Sequence, residues 1–244
     1  MQPGTESTEE SGALADGDSL ARLLRGYRFS LCETTEAVAQ ALDVRRRVYV
    51  DERGYDAPVP DEYDQRSWFL VAEHLETEEA VGSMRLTPRF AGPFEADEYF
   101  RLPAHVRSPH AVELNRFAIP RSYCKGKTLL PIVSLGLFKL VMEYLRHIDA
   151  HRMLIASKPE SVCTYQWMGF ERTGLTAPYG GFDHSEHELL TYELHRSPKA
   201  LSDHPLHDFF VRMRYQEVRL PRHIPELSIA VPLARDALRV RRSV

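Results

Sequence analysis

Cysteine is scarce in this chain. Cys32, Cys124 and Cys163 are its only thiols, too few and too scattered for a disulfide framework, and they fit a reducing compartment. Long apolar runs are missing as well. The most apolar stretch, 129–145, is interrupted by Pro131, Ser134, Lys139 and Glu143. Nothing approaches the ~20 uninterrupted apolar residues of a membrane span, so no transmembrane segment is expected. The opening MQPGTESTEESG holds neither a basic region nor an apolar one, so no secretory signal is expected and the expected location is cytoplasmic. A large excess of one charge is also absent. A net charge of −4 and a pI near 6.3 give no global pull toward nucleic acid. An anionic partner has to be met by a local basic patch.

What is present is ordinary for a globular protein: 43% hydrophobic and 27% charged residues in 244. Such a length buries roughly 70% of the unfolded surface if it folds as one unit. Residues 1–18 carry Glu6, Glu9, Glu10, Asp16 and Asp18 with no Lys or Arg, and read as a disordered acidic tail. The main folded unit is expected over 19–195, with 196–244 a helical and extended appendage of the same domain.

Asp18 and Ser19 are placed to cap a short helix that Gly26 ends, and 27–32 reads as a strand. Thr34–Arg53 reads as a helix closed by Gly54. Val38, Leu42, Arg45 and Tyr49 recur at helical spacings of four, three and four, which puts Arg45 on the apolar side. Trp68–Leu75 and Ala80–Pro88 read as a hairpin, Ala111–Ile119 as a further strand, and Arg89–His110 as a long connection of the kind that is often functional or partly helical. A helix over Thr128–His147, a strand over Arg152–Ser157, a helix over Pro159–Trp167, strands over 170–173 and 188–194, and a helix near 208–216 follow. Hairpins first and alternation later favour one α/β (α+β) mixed sheet with helices on both faces.

Charges stand where apolar residues would cost less. Arg45 lies on a helix's apolar face, and Asp61 and Asp64 precede a strand. Arg85 sits inside one strand, and Glu113 and Arg116 inside another. Half-buried charges are costly unless paired, so these groups suggest one polar pocket or a set of structural ion pairs. His184 with His187, and His204 with His207, have metal-compatible spacing but no matching second pair, so no metal is expected. Cys163 reads as a packed thiol, and Phe138 and Tyr144 as core.

The series Arg45-x3-Tyr49-x5-Tyr55, Asp61-x2-Asp64, Arg85, Glu113-x2-Arg116 resembles the autoinducer-synthase pattern, with Tyr49 where that pattern has Phe and Tyr55 where it has Trp. Residues 47–55, Arg-Val-Tyr-Val-Asp-Glu-Arg-Gly-Tyr, more closely resemble N-acyl amino acid synthases and exosortase-associated acyltransferases. All belong to the GNAT-type N-acyltransferases, and the resemblance covers about residues 27–195. It implies a GNAT-like mixed central sheet and an enzyme that moves a long-chain acyl group from a thioester to the amine of an amino acid.

Glu113 is then the expected base or water-orienting acid and Arg116 its catalytic partner. Arg45, Tyr49, Tyr55, Asp61, Asp64 and Arg85 form the expected substrate pocket. A regular strand would put Glu113 and Arg116 on opposite faces; the superfamily's strand usually carries a bulge, which would re-aim one of them. Arg121, Lys125, Gly126, Lys127 and Thr128 form the expected donor loop at a helix start, where amides and cations suit phosphates. Lys139, Arg146 and Lys158 would extend that basic rim. The resemblance implies no permanent cofactor. Its donor is an acyl-phosphopantetheine, on acyl carrier protein or coenzyme A. The alternatives are an acyl-homoserine-lactone synthase, with S-adenosylmethionine as acceptor, and a catalytically silent binding protein of the same fold.

Overall fold

The computed structural model describes residues 17–124, 131–179, 185–194, 206–225 and 227. The strands are β1 (Tyr27–Leu31), β2 (Trp68–His74), β3 (Glu79–Pro88), β4 (Ala111–Ala118), β5 (Arg152–Ser157), β6 (Glu171–Pro178), β7 (Glu186–Glu193) and β8 (Val218–Arg219). The helices are α1 (Gly17–Leu24), α2 (Thr35–Arg46), α3 (Ala96–Tyr99), α4 (Ile132–His147) and α5 (Pro159–Trp167).

The strands form one mixed sheet in the order β6-β7-β5-β4-β3-β2-β1-β8. Neighbours run antiparallel except at β4–β5 and β1–β8.

Both faces of the sheet are covered, and β2 shows why its sequence is a continuous apolar run. Trp68, Leu70 and Ala72 enter the large core with α4, while Phe69 and Val71 pack with Val38, Ala41 and Leu42 of α2 on the other face. The long connection 89–110 is no open loop. Phe94, Ala96, Phe100, Leu102 and Val106 pack on Ala111, Leu154 and Leu189, covering the α2 face beyond β4. Their order comes from burial rather than periodicity, so no helical or strand repeat marks them.

Several element ends differ from the sequence expectation. Thr34 caps α2 through its side chain, but the α-helix stops at Arg46 and continues as a π-helical turn, Arg47–Glu52, before Gly54 at φ 70°. Pro131, not Thr128, is the N-cap of α4. β6 runs on to Pro178, and the expected helix near 208–216 is one π-helical turn, Asp208–Arg212. The tail expected over 1–18 lies outside the described residues up to position 16, and α1 begins at Gly17. The described part of the C-terminal segment joins the same sheet. β8 pairs with β1, and Trp68 Nε1 donates to Pro225 O at 2.9 Å.

Close packing of α4 on the sheet depends on glycine. A Cβ on Gly136 would fall inside the Phe29 ring, and one on Gly82 would lie 2.6 Å from Val133 Cγ1. Gly136→Ala is expected to lower stability by about 1–3 kcal/mol through overpacking, despite alanine's better helix propensity. Urea unfolding of the two proteins measures this.

Candidate active site

The sheet's register gathers the charged residues. Arg85 of β3 pairs with Asn115 of β4, and Thr87 pairs with Glu113. Directly opposed residues share a face, so all four side chains point to the α2 side. Arg116 would point the other way in a regular strand. Instead, Ser83 pairs with Ala118 while Arg85 pairs with Asn115, so β4 carries one extra residue. Arg116 takes it up at φ 55°. This bulge turns the Arg116 side chain onto the face of Asn115, at the expense of a left-handed backbone.

Three other elements close over this face. α2 brings Arg45, the turn before β2 brings Asp61 and Asp64, and α3 brings Glu95 just ahead of its first residue. Arg45 makes a two-pronged contact with Asp64, one prong at 2.8 Å. Arg85 Nη1 donates to Asp61 at 2.5 Å and to Asp64 at 3.1 Å, and its Nη2 donates to Glu95 at 2.5 Å. Arg116 reaches Asp61 at 2.9 Å and Glu95 at 2.7 Å. Asp61 thus bridges two arginines. Burial alone would raise its pKa, but Arg85, Arg116 and Arg45 hold the carboxyl well below the usual range.

Glu113 behaves differently. It is fully buried and touches no arginine directly. Its two oxygens accept the backbone N–H groups of Glu95 and Ala96, each at 2.8 Å, at the start of α3. The Tyr179 hydroxyl lies 3.3 Å from Glu113 Oε1 and 3.0 Å from Asn115 Nδ2. Burial, with Glu95 nearby, pushes the Glu113 carboxyl up to about 7. Its hydrogen bonds to two amides are outweighed.

The opening beside this cluster comes from the sheet. β4 and β5 pair only from Ala111–Arg152 to Glu113–Leu154 and then separate. A cavity of about 180 Å³ fills the gap, lined by Asn115, Arg116 and Tyr179 on one side and Ser157 and Lys158 on the other. A second cavity of about 270 Å³ adjoins it, lined by Phe138, Cys124, Pro131 and Met168. Arg53, Phe117, Ser161 and Tyr165 line both. The π-helical turn after α2 presents Tyr49 to the first cavity, where its hydroxyl lies 3.3 Å from Phe117 O. Tyr55 sits at the rim beside Lys158, whose Nζ is 3.0 Å from the Tyr55 hydroxyl.

The residues expected from sequence therefore fall into separate places. Arg45, Asp61, Asp64, Arg85, Glu113 and Arg116 come together, and of these only Arg116 lines the cavity. Tyr49 and Tyr55 sit across the opening. Arg121 is exposed, and its backbone N–H donates to Glu52 at 3.1 Å. Lys125, Gly126, Lys127 and Thr128 lie outside the described residues, as do His184 and His204.

Two expectations are corrected. Lys139 is fully buried and bonded inside the molecule rather than on a basic rim, and Arg146 bonds to Phe210 O at the far end of α4. Cys163 is exposed, on the outer side of α5.

Glu95, Tyr179, Arg53 and Tyr165 were missed. Glu95 had a signal: Glu95, Asp97 and Glu98 are the acids of the connection 89–110 and stand between Phe94 and Phe100. His110, Asp149 and His151 cluster on the surface, but the two imidazoles stack at 4.3 Å and 9°, so their lone pairs run alongside each other rather than converge on one ion.

Two measurements follow. Asp64→Asn leaves Arg45 and Arg85 short of a buried counter-charge and should cost about 3–5 kcal/mol in urea unfolding. The Glu113 pKa is higher folded than unfolded, so the folded state holds the extra proton between about pH 4.5 and 7. Its contribution to stability is complete below that window and lost on rising through it, on the order of 3 kcal/mol. Glu113→Gln should abolish that slope.

Comparison with known proteins follows this geometry. The family model for the N-acyl amino acid synthase FeeM matches residues 40–193, more than half of the chain. No curated protein matches by sequence. Among solved structures, FeeM from uncultured soil microbes superposes with a TM-score of 0.60 at 15% identity, over 75% of this chain and 96% of that one. BjaI, a CoA-dependent acyl-homoserine lactone synthase, gives 0.60 at 21% identity, over 84% and 97%. A putative N-acetyltransferase from Lactobacillus plantarum gives 0.51 at 16% identity, over 69% and 99%. These likenesses establish the GNAT-like N-acyltransferase fold, and the family match makes the chain an acyltransferase: it belongs to the FeeM family of N-acyl amino acid synthases.

Proposed function

We propose that this enzyme transfers a long-chain acyl group from a phosphopantetheine thioester to the amino group of an amino acid. The separation of β4 and β5 after Glu113 carries the reading. It leaves a cavity between two strand edges, and a pantetheine arm, with two amides, is itself strand-like in its hydrogen bonding. The cavity also joins chemically different faces. Asn115, Arg116 and Tyr179 lie on the α2 side, and Phe138 of α4 and Met168 lie on the α4 side. The amine would enter on the polar side and the acyl chain would lie on the apolar one.

The amine arrives as an ammonium ion and must lose a proton before attack. The Tyr179 hydroxyl is the group at the cavity that contacts Glu113. In the proposed step it takes the ammonium proton while its own proton passes to Glu113. The amine nitrogen then bonds to the thioester carbon and the C–S bond breaks. The second proton lost by nitrogen leaves with the sulfur as a free thiol.

Glu113 acts through Tyr179 and positions α3. Arg116 holds Asp61 and Glu95 at the cavity wall. Arg45, Asp61, Asp64 and Arg85 brace this wall rather than contact substrate. Arg53, shared by both cavities, is placed for the acceptor's carboxylate. Lys158 and Arg121 would meet the donor's phosphates or an acidic carrier protein. Acyl carrier protein is the proposed carrier and the cytoplasm the proposed location.

The assay gives purified protein acetyl, octanoyl and palmitoyl thioesters on both carriers with a panel of amino acids. It follows thiol release and identifies the amide by mass spectrometry. The rate should rise through about pH 7 as Glu113 loses its proton. Glu113→Gln should slow turnover by roughly 10²–10⁴-fold and remove that rise. Arg116→Lys should also lower turnover, because lysine cannot bridge two carboxylates with a planar fork. Turnover of acetyl-CoA alone would make the protein an ordinary acetyltransferase. A lactone formed from S-adenosylmethionine would make it an autoinducer synthase, and no turnover with any donor would overturn the reading.

A further inference from the structure

A small apolar void of about 10 Å³ lies beside the second cavity. Phe138 and Met168 line both it and the second cavity, so the two spaces share a wall. Met142, Met153, Phe170 and Phe210 complete most of its wall. The void is about the size of one water, but a water there would lack polar partners, so it stays dry. Three of its lining residues are methionines. Their unbranched thioethers change shape at little expense.

One lining residue, Phe210, comes from the segment around the π-helical turn Asp208–Arg212, beyond the residues 40–193 of the family match. This segment is held by a buried ammonium. Lys139, fully buried in α4, donates to Phe210 O at 3.3 Å and to Met213 O at 2.7 Å, and pairs with Glu143 at 3.0 Å. All three of its protons are therefore used. Arg146 also donates to Phe210 O, at 3.1 Å. Phe209 and Tyr215 face the same ammonium at 5.9 and 5.7 Å. A buried lysine is expensive. Here it fixes the backbone of Phe210, one of the residues that line the void.

We infer that Phe210 is the end wall of the acyl channel and sets the longest acyl chain the enzyme takes, with Lys139 locking that wall in place. The chain enters from the second cavity, displaces the Phe138–Met168 barrier by rotation of the methionines, and stops with its methyl end against the Phe210 ring.

This inference rests on the acyl-transfer reading, so its test uses binding as well as turnover. Calorimetry measures the affinity of the full chain for saturated acyl thioesters of graded length, from octanoyl to stearoyl, on acyl carrier protein and on coenzyme A. Phe210→Ala should move the optimum to longer chains by roughly the three or four methylenes that a phenyl ring displaces, and Phe210→Trp should move it to shorter ones. Phe210→Leu keeps an apolar side chain of intermediate size and should give an intermediate shift, which guards against a fold lost in the alanine variant. If the wild-type protein binds thioesters but none of the three variants changes the preferred length, the wall is elsewhere while the acyl-transfer reading stands. If the wild-type protein binds no acyl thioester of any length, both fall together.

Discussion

The structure depends on the neutralisation of buried charge around Asp61. Three arginines, from α2, β3 and β4, have their side chains on one face with almost no solvent, and each would be prohibitively costly alone. Asp61, Asp64 and Glu95 answer them one for one in charge, and shared contacts knit the pairs together. The network fixes where α2, the turn before β2 and α3 sit on the sheet. Glu113 is the fourth acid in this group. With three positive charges already matched, its carboxylate has little to gain from ionising, in keeping with a carboxyl pushed up to about 7. One arrangement thus supplies both rigidity and an acid that changes state near neutrality.

Much of this was legible from residue type. An arginine on the apolar side of a helix and another within an apolar strand can persist only with partners, and Asp61 and Asp64 stand just ahead of a strand that the sequence places in the same sheet. The mixed sheet was legible from the order of hairpins and alternations, and α5 from its proline start and glycine stop. What stayed hidden depends on contacts far apart in the chain. Glu95 lies in a connection whose apolar residues are ordered by packing on Leu154 and Leu189, not by any repeat. Tyr179 reaches Asn115 across 64 positions of sequence. The bulge at Arg116 is a matter of register between two strands, and one strand's sequence does not contain it. Lys139 looked like a surface cation because charge usually marks solvent. Only the docking of residues near 210 shows why it is buried.

The family match and the fold divide the molecule in an informative way. The match takes in the ion network, the opening between β4 and β5, and α4 and α5. Outside it lie β1, β8 and the turn around Phe210, which enclose α4 from the side away from that opening. The matched part holds the ion network and the opening, and the parts outside the match pack against the apolar interior next to it.

The pairing of β8 with β1 has a consequence for how the chain is made. These strands lie near opposite ends of the described sequence, yet Phe29 N–H bonds to Glu217 O at 2.7 Å and Phe29 itself packs beneath Gly136. Closing so long a loop is slow, because its entropy is lost before its contacts are gained. During synthesis β1 emerges from the ribosome long before β8. For most of that interval β1 presents an unpaired edge, open to pairing with other chains. High-level expression would therefore press hardest on this step, and the shielding of one short strand would decide how much of the newly made protein stays clear of aggregates.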